Sequence, residues 1–169
     1  MKSVIIAIVG PSGAGKTFAS EFLKKEKGIP VIVSYTTRPM RDGETNGVEH
    51  FFVDESEMPP KNQMLAYTKF GNYHYWASIN QIPENGKCIY VVDEKGLVML
   101  ETEFGDQFNV YSVYIKRDVN KLEDSIGQDR ISRDKDRMML DESFYNQIID
   151  NDGTMKEFQD KLTLMINNI

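Results

Sequence analysis

An apolar run, Val4 to Val9, leads directly into Gly10-Pro11-Ser12-Gly13-Ala14-Gly15-Lys16-Thr17, and a helix-like segment follows from about Lys16 to Lys25. No other stretch limits the possible folds so strongly. The pattern is G-x-x-x-x-G-K-T, a P-loop, set between a strand and a helix. Its glycines let the backbone turn tightly, so that successive N–H groups point into one hollow. The next helix begins there and turns its positive dipole end toward the same hollow. Lys16 can then reach the β- and γ-phosphates of a nucleoside triphosphate, and the Thr17 hydroxyl can ligand Mg²⁺.

The remaining elements follow in order. Val4–Val9 reads as a parallel strand buried on both faces. Phe18, Phe22 and Leu23 mark one side of the first helix, Gly28 is its stop, and Val31–Val33 is a second short strand. Asn46-Gly47 is a hairpin-type turn and His50–Val53 a strand. Residues 54–62 form a short helix or loop broken by Pro59-Pro60, and Leu65–Phe70 and Tyr73–Ala77 make a hairpin around Gly71-Asn72. Region 34–80 is thus a small aromatic-rich β insertion, whose rings are either a stacking platform for a base or the core of a small sheet. Cys88–Asp93 and Val110–Ile115 are further strands, and Lys116–Gly127 is a helix. A densely charged segment spans 128–137, Gln147–Asn151 is a last strand, and Gly153–Asn168 is a closing helix. Its buried stripe is Met155, Phe158, Leu162 and Met165. This order predicts an α/β fold with a parallel central sheet flanked by helices.

Two stretches besides the P-loop carry chemistry. Arg38 and Arg41 lie three apart in a hydroxyl-rich loop past the second strand. Ligands of open α/β sheets bind outside the carboxyl ends of strands, and two guanidiniums there suit a second phosphate. They serve equally as solvated arginines around a turn, but a neighbouring P-loop favours the phosphate. Asp93 ends a buried strand, where it either faces Mg²⁺ and substrate or caps the next helix. Arginines recur at three- and four-residue spacing in 128–137, a pattern that usually marks a solvated face.

Composition excludes several classes. The net charge of −6 argues against a general nucleic-acid binder. Cys88 is the sole cysteine, so no internal disulfide forms, and no 18-residue apolar stretch exists to cross a membrane. The first residues do not read as a signal peptide, because cleavage would destroy the loop. A single domain spanning residues 1–169, cytoplasmic, monomeric or homodimeric, is expected.

Together, GPSGAGKT at 10–17, S-Y-T-T-R-P-x-R-x-G-E at 34–44, NGVEHFFV at 46–53, GNYHYW at 71–76, Asp93 with Gly96, and I-I-D-N-D at 148–152 resemble the guanylate kinase family across nearly the whole chain. The resemblance implies a P-loop NTPase fold with ATP as phosphoryl donor, Mg²⁺ as cofactor and GMP or dGMP as acceptor. Residues 34–80 would be the monophosphate-binding insertion and 127–138 a short lid. Residues 10–17 would bind ATP. Lys16, Arg38, Arg41, Arg130, Arg133 and Arg137 would be catalytic, the last three as lid arginines. Ser34, Arg38, Arg41, His50, Tyr75 and Asp93 would hold the monophosphate, and Thr17 and Asp93 would face the metal.

Three departures concern the acceptor. His50 stands where the family commonly has tyrosine, Ala66 where it has a guanine-reading glutamate, and bulky Trp76 follows Tyr75 where it has glycine. Related alternatives are a kinase for another nucleoside monophosphate or a phosphorylated ribose. A non-catalytic guanylate kinase-like binding module is a further one, but such modules typically have a degraded P-loop.

Overall fold

The computed structural model describes residues 1–123 and 137–169. Its centre is a parallel sheet of β1 (Val4–Val9), β6 (Lys87–Val91), β7 (Asn109–Lys116) and β8 (Gln147–Asp150), in the order β6-β1-β7-β8. Strand β1 is central and carries the apolar run. Side chains alternate across a strand, so Ile5, Ala7 and Val9 enter one core and Ile6 and Ile8 the other, all fully buried. That two-sided burial is why the run shows no polar alternation.

Helices cover both faces. On one, α1 (Lys16–Lys27) and α4 (Met155–Asn167) pack Ala19, Leu23, Phe158, Leu162 and Met165 against Ile6, Ile8, Val113 and Ile115. On the other, α2 (Glu94–Phe104) supplies Leu97, Leu100 and Phe104. Helix α1 ends at Gly28, whose left-handed backbone (φ +66°) lets its N–H bond Lys24 O at 3.0 Å. Helix α4 begins with a capping box, Thr154 accepting from Glu157 N–H while the Glu157 carboxylate accepts from Thr154 N–H.

A second sheet rides on α2. It consists of β2 (Tyr35–Thr36), β3 (Phe51–Phe52), β4 (Met64–Phe70) and β5 (Tyr73–Ser78), in the order β3-β2-β5-β4. Strands β4 and β5 form the expected hairpin around Gly71, where φ is +59°. A bulge interrupts it between Leu65 and Thr68, and Ala66 there has φ +48°.

Several expectations need correction. Val31–Val33 is not a strand; a single bridge joins Val31 to Ile89, and Pro30 imposes an extended entry with no N–H to give. The turn at Asn46-Gly47 closes no hairpin, because β2 and β3 run parallel. Met155 is exposed at 56%, since it opens α4 beyond the edge of the core, while Phe158, Leu162 and Met165 are buried as expected. The helix expected from Lys116 starts later, as α3 (Val119–Glu123), because β7 continues through Lys116; the rest of that expectation, and most of the charged 128–137 segment, lies outside the described residues.

Candidate active site

The loop between β1 and α1 is shaped by close backbone approaches. A Cβ on Gly10 would lie 2.6 Å from Ile115 O of β7. Gly15, at φ +104°, would bring one to 2.7 Å from Asn151 Nδ2. Two side chains brace the loop from the carboxyl ends of neighbouring strands. Asn151, after β8, donates from Nδ2 to Ala14 O at 2.8 Å, and Arg117, after β7, donates from Nη1 to Gly13 O at 2.8 Å. Lys16 curls over the loop, its Nζ donating to Gly10 O (2.7 Å) and Pro11 O (2.9 Å). Its ammonium therefore sits at the mouth of the loop, as do Ser12, Gly13, Gly15 and Thr17 in an adjoining hollow. Pro11 and Ala14 complete the turn, with Ala14 N–H bonded to Pro11 O at 3.2 Å.

One cavity adjoins this loop, and a second adjoins the first. The first, of about 330 Å³, is lined by Gly10, Ser12, Lys16, Glu94, Lys95 and Arg137. The other, of about 370 Å³, contains Ser34, Arg38, Arg41, Glu44, His50 and Tyr75, with Ala66, Thr68, Tyr90 and Gly96. Phe70, Val91, Val92 and Asp93 line both, so the loop and the arginine pair face spaces that share a wall.

The arginine cavity is an organised charge cluster. Arg38 forks onto Glu44 through Nη2–Oε1 (2.7 Å) and Nη1–Oε2 (3.0 Å), and Arg41 N–H donates to the same carboxylate at 2.7 Å. The Arg38 hydrogen bonds and the Arg41 backbone bond hold the Glu44 carboxyl down at about 2. Arg38 is raised in turn, chiefly by Glu44, with Tyr75 adding to it, and its guanidinium lies 5.4 Å from the Phe52 ring centroid. Glu44 fixes the orientation of Arg38, a task not evident from the linear motif. Arg41 is exposed at the cavity rim, and the His50 ring meets Tyr75 edge-on at 5.8 Å.

Ser34 Oγ is 3.3 Å from the Tyr90 hydroxyl, whose ionisation burial pushes up. Asp93 caps α2, its Oδ1 accepting from Gly96 N–H at 2.7 Å, and it also borders both cavities. Ala66 lies in the arginine cavity, and a Cβ on Gly96 would meet its methyl at 3.2 Å. Trp76 does not line that cavity. It is 2% exposed and stacks on Tyr35 at 5.7 Å, on the face of β5 opposite Tyr75, so the expectation that it shapes base recognition is not met.

Of the expected lid arginines, Arg130 and Arg133 lie outside the described residues. Arg137 lies within them and pairs with buried Glu94, donating from Nε to Oε2 at 2.7 Å and from Nη2 to Oε1. For a divalent cation, no cluster of three His, Cys, Asp or Glu side chains exists among the described residues. The two expected donors line different spaces, the Thr17 hydroxyl the hollow at the loop and the Asp93 carboxylate the two larger cavities. Such hard oxygens suit Mg²⁺, which takes few protein ligands and fills its shell with phosphate and water.

Residues 1–168 match the family model described as guanylate kinase. The chain belongs to the guanylate kinase family. It is 29% identical over 166 residues to a guanylate kinase from Nostoc sp., covering 88% of this chain and 82% of that one. With a guanylate kinase from Legionella pneumophila strain Paris it shares 32% over 114 residues, 63% of this chain; the chain spans about half, 54%, of that relative's length. The crystal structure of guanylate kinase from Anaplasma phagocytophilum superposes with a TM-score of 0.72 over 99% of this chain and 86% of that one, at 20% identity, and bears on the fold. The P-loop NTPase fold and the family expected from the motifs are thereby both borne out. Against the family reading, Arg117 and Glu44 are among the side chains whose tasks sequence reasoning missed. Each had a weak signal, Arg117 by ending a parallel strand beside the P-loop strand and Glu44 by ending the arginine motif.

Proposed function

We propose that this chain transfers the γ-phosphoryl group of ATP to a nucleoside monophosphate, GMP or dGMP. The observation that carries this reading is the wall shared by the P-loop cavity and the arginine cavity. A donor triphosphate on the loop and an acceptor phosphate on Arg38 and Arg41 would meet across it.

Phosphoryl transfer asks the protein for position and charge more than for covalent chemistry. Both substrates are anionic and repel. Lys16 lies over the loop mouth on the Gly10 and Pro11 carbonyls, from which its ammonium would turn to the β- and γ-phosphates. Arg38, aligned by Glu44, and Arg41 at the rim would hold the acceptor phosphate, with Ser34, His50 and Tyr75 around it. Thr17 and Asp93 would hold Mg²⁺, which when bound neutralises charge building on the phosphate oxygens. The acceptor phosphate is already an anion, so no general base is required. Residues 34–80 act in this reading as the acceptor-binding insertion. Among the described residues no helix is long and apolar enough to cross a membrane, and ATP and a cytoplasmic nucleotide pool suit the reading.

A panel assay tests it. ADP formation from ATP is followed with GMP, dGMP, AMP, CMP, UMP, TMP and ribose phosphates as acceptors. GMP or dGMP is expected to give the highest kcat/KM, and Lys16→Ala to remove turnover while the fold persists. Absence of turnover with every acceptor would favour the binding module; retained turnover in Lys16→Ala would sink the P-loop assignment.

A further inference from the structure

We propose that acceptor binding is coupled to proton uptake at His50: the imidazole is neutral in the empty cavity and becomes a third cationic donor, beside Arg38 and Arg41, when a phosphomonoester dianion enters. This deepens the reading of that cavity as the acceptor-phosphate site and rests on it. The proton comes from solvent, and the only bond formed is N–H on the imidazole.

Two structural observations converge. His50 lines the cavity with both arginines, Glu44 and Tyr75. Its Nδ1 is buried and has no hydrogen-bond partner in the protein. Buried polar atoms nearly always have partners, so an imidazole that no hydrogen bond of Nδ1 holds in place can turn toward an anion entering the cavity.

The surroundings set the direction. Burial and the Arg38 charge push the imidazole below its ordinary value, against the pull of Glu44, Glu49 and the Ser34 backbone. Arg41 shares the cavity, while the Phe52 and Tyr75 rings meet the imidazole edge-to-face at 5.9 and 5.8 Å. A dianionic phosphate entering there offsets Arg38 and adds an acceptor of opposite charge, so the balance reverses. A ligand that raises a group's pKa binds more tightly as pH falls. Acceptor affinity therefore rises on going down through the bound-state value and levels off below the lowered free-state value. A tyrosine at this position, as the family commonly has, would donate without titrating near neutrality.

GMP binding is measured by calorimetry at pH 7.5 in two buffers of different ionisation heat, for wild type and His50→Gln. The phosphate's own ionisation contributes equally to both. Wild type is expected to take up more protons than the variant, by up to about one per site, and equal counts would overturn the proposal. Independently, the chain has only two histidines, so imidazole ¹⁵N spectra resolve them, with His74→Gln giving the assignment should His50→Gln not fold. The His50 signals should move to imidazolium positions on saturation; signals that stay neutral would refute the idea. Ribose 5-phosphate is a second probe. Binding and proton uptake with ribose 5-phosphate but not GMP would uphold His50 and overturn the base assignment. No binding of either would overturn both.

Discussion

Replacing Glu94 with glutamine leaves Arg137 facing a neutral amide, and the structure sets the size of the loss. Glu94 is 1% exposed at its side chain and Arg137 11%, with two N–H bonds joining them. Breaking a buried pair by neutralising one partner costs about 3–5 kcal/mol, because the other charge loses its counter-charge. Arg137 borders an open cavity, so part of its hydration can return, and the lower end, about 3 kcal/mol, is the expected value. At roughly 2–4 °C per kcal/mol for a chain of this size, the melting temperature should drop by about 6–12 °C. The paired change Glu94→Leu with Arg137→Met removes both charges and should lie within about 1 kcal/mol of wild type. Urea unfolding monitored by circular dichroism, with slopes compared among all variants, measures this. A Glu94→Gln protein as stable as wild type, or a paired variant as unstable as the single one, would refute the reasoning. The pair also bears on the lid reading, since Arg137 must leave Glu94 to reach a donor phosphate; ATP KM should then fall, not rise, in Glu94→Gln.

Trp76→Ala should destabilise the chain by about 3–5 kcal/mol through the cavity it leaves against Tyr35, while the ratio of kcat/KM for GMP over AMP stays within twofold of wild type, roughly the scatter of a neutral change; a changed ratio would put Trp76 back in the acceptor site. Arg117→Met removes the charged bond to Gly13 O, and steady-state kinetics should show ATP KM rising by about tenfold, as a bond of roughly 1.4 kcal/mol implies. Unchanged ATP KM would mean that Arg117 does not brace the loop for binding.

The P-loop and the central sheet were legible in the sequence because their causes are local. An all-apolar run means a strand buried on both faces, and the glycine spacing is what a phosphate-cradling turn requires. Arg38 and Arg41 were legible because strand ends in such folds point at ligands. Apart from the grip of Glu44 on Arg38, what escaped notice depends on residues far apart in the chain. Asn151 reaches the P-loop across 137 positions and Arg117 across 104, and the only local hint is that Arg117 ends a strand beside the P-loop strand. The Glu94–Arg137 pair likewise spans 43 positions. Trp76 is different, since its signal was present. Side chains alternate along a strand, so a cavity-facing Tyr75 already places Trp76 on the other face. Met155 misled for a related reason: it keeps the helical spacing of the buried stripe, but sits at the first position of α4, ahead of the core that the stripe meets.

The fate of the transferred phosphorus tests the central claim most directly. With ATP labelled at the γ-phosphorus, Mg²⁺ and GMP, the label should appear in the β-phosphate of GDP, one GDP for each ADP, and ADP formation should nearly cease when GMP is omitted. Label released as inorganic phosphate at the same rate with or without GMP would contradict it, because the arginine cavity would then hold no acceptor for the donor on the loop.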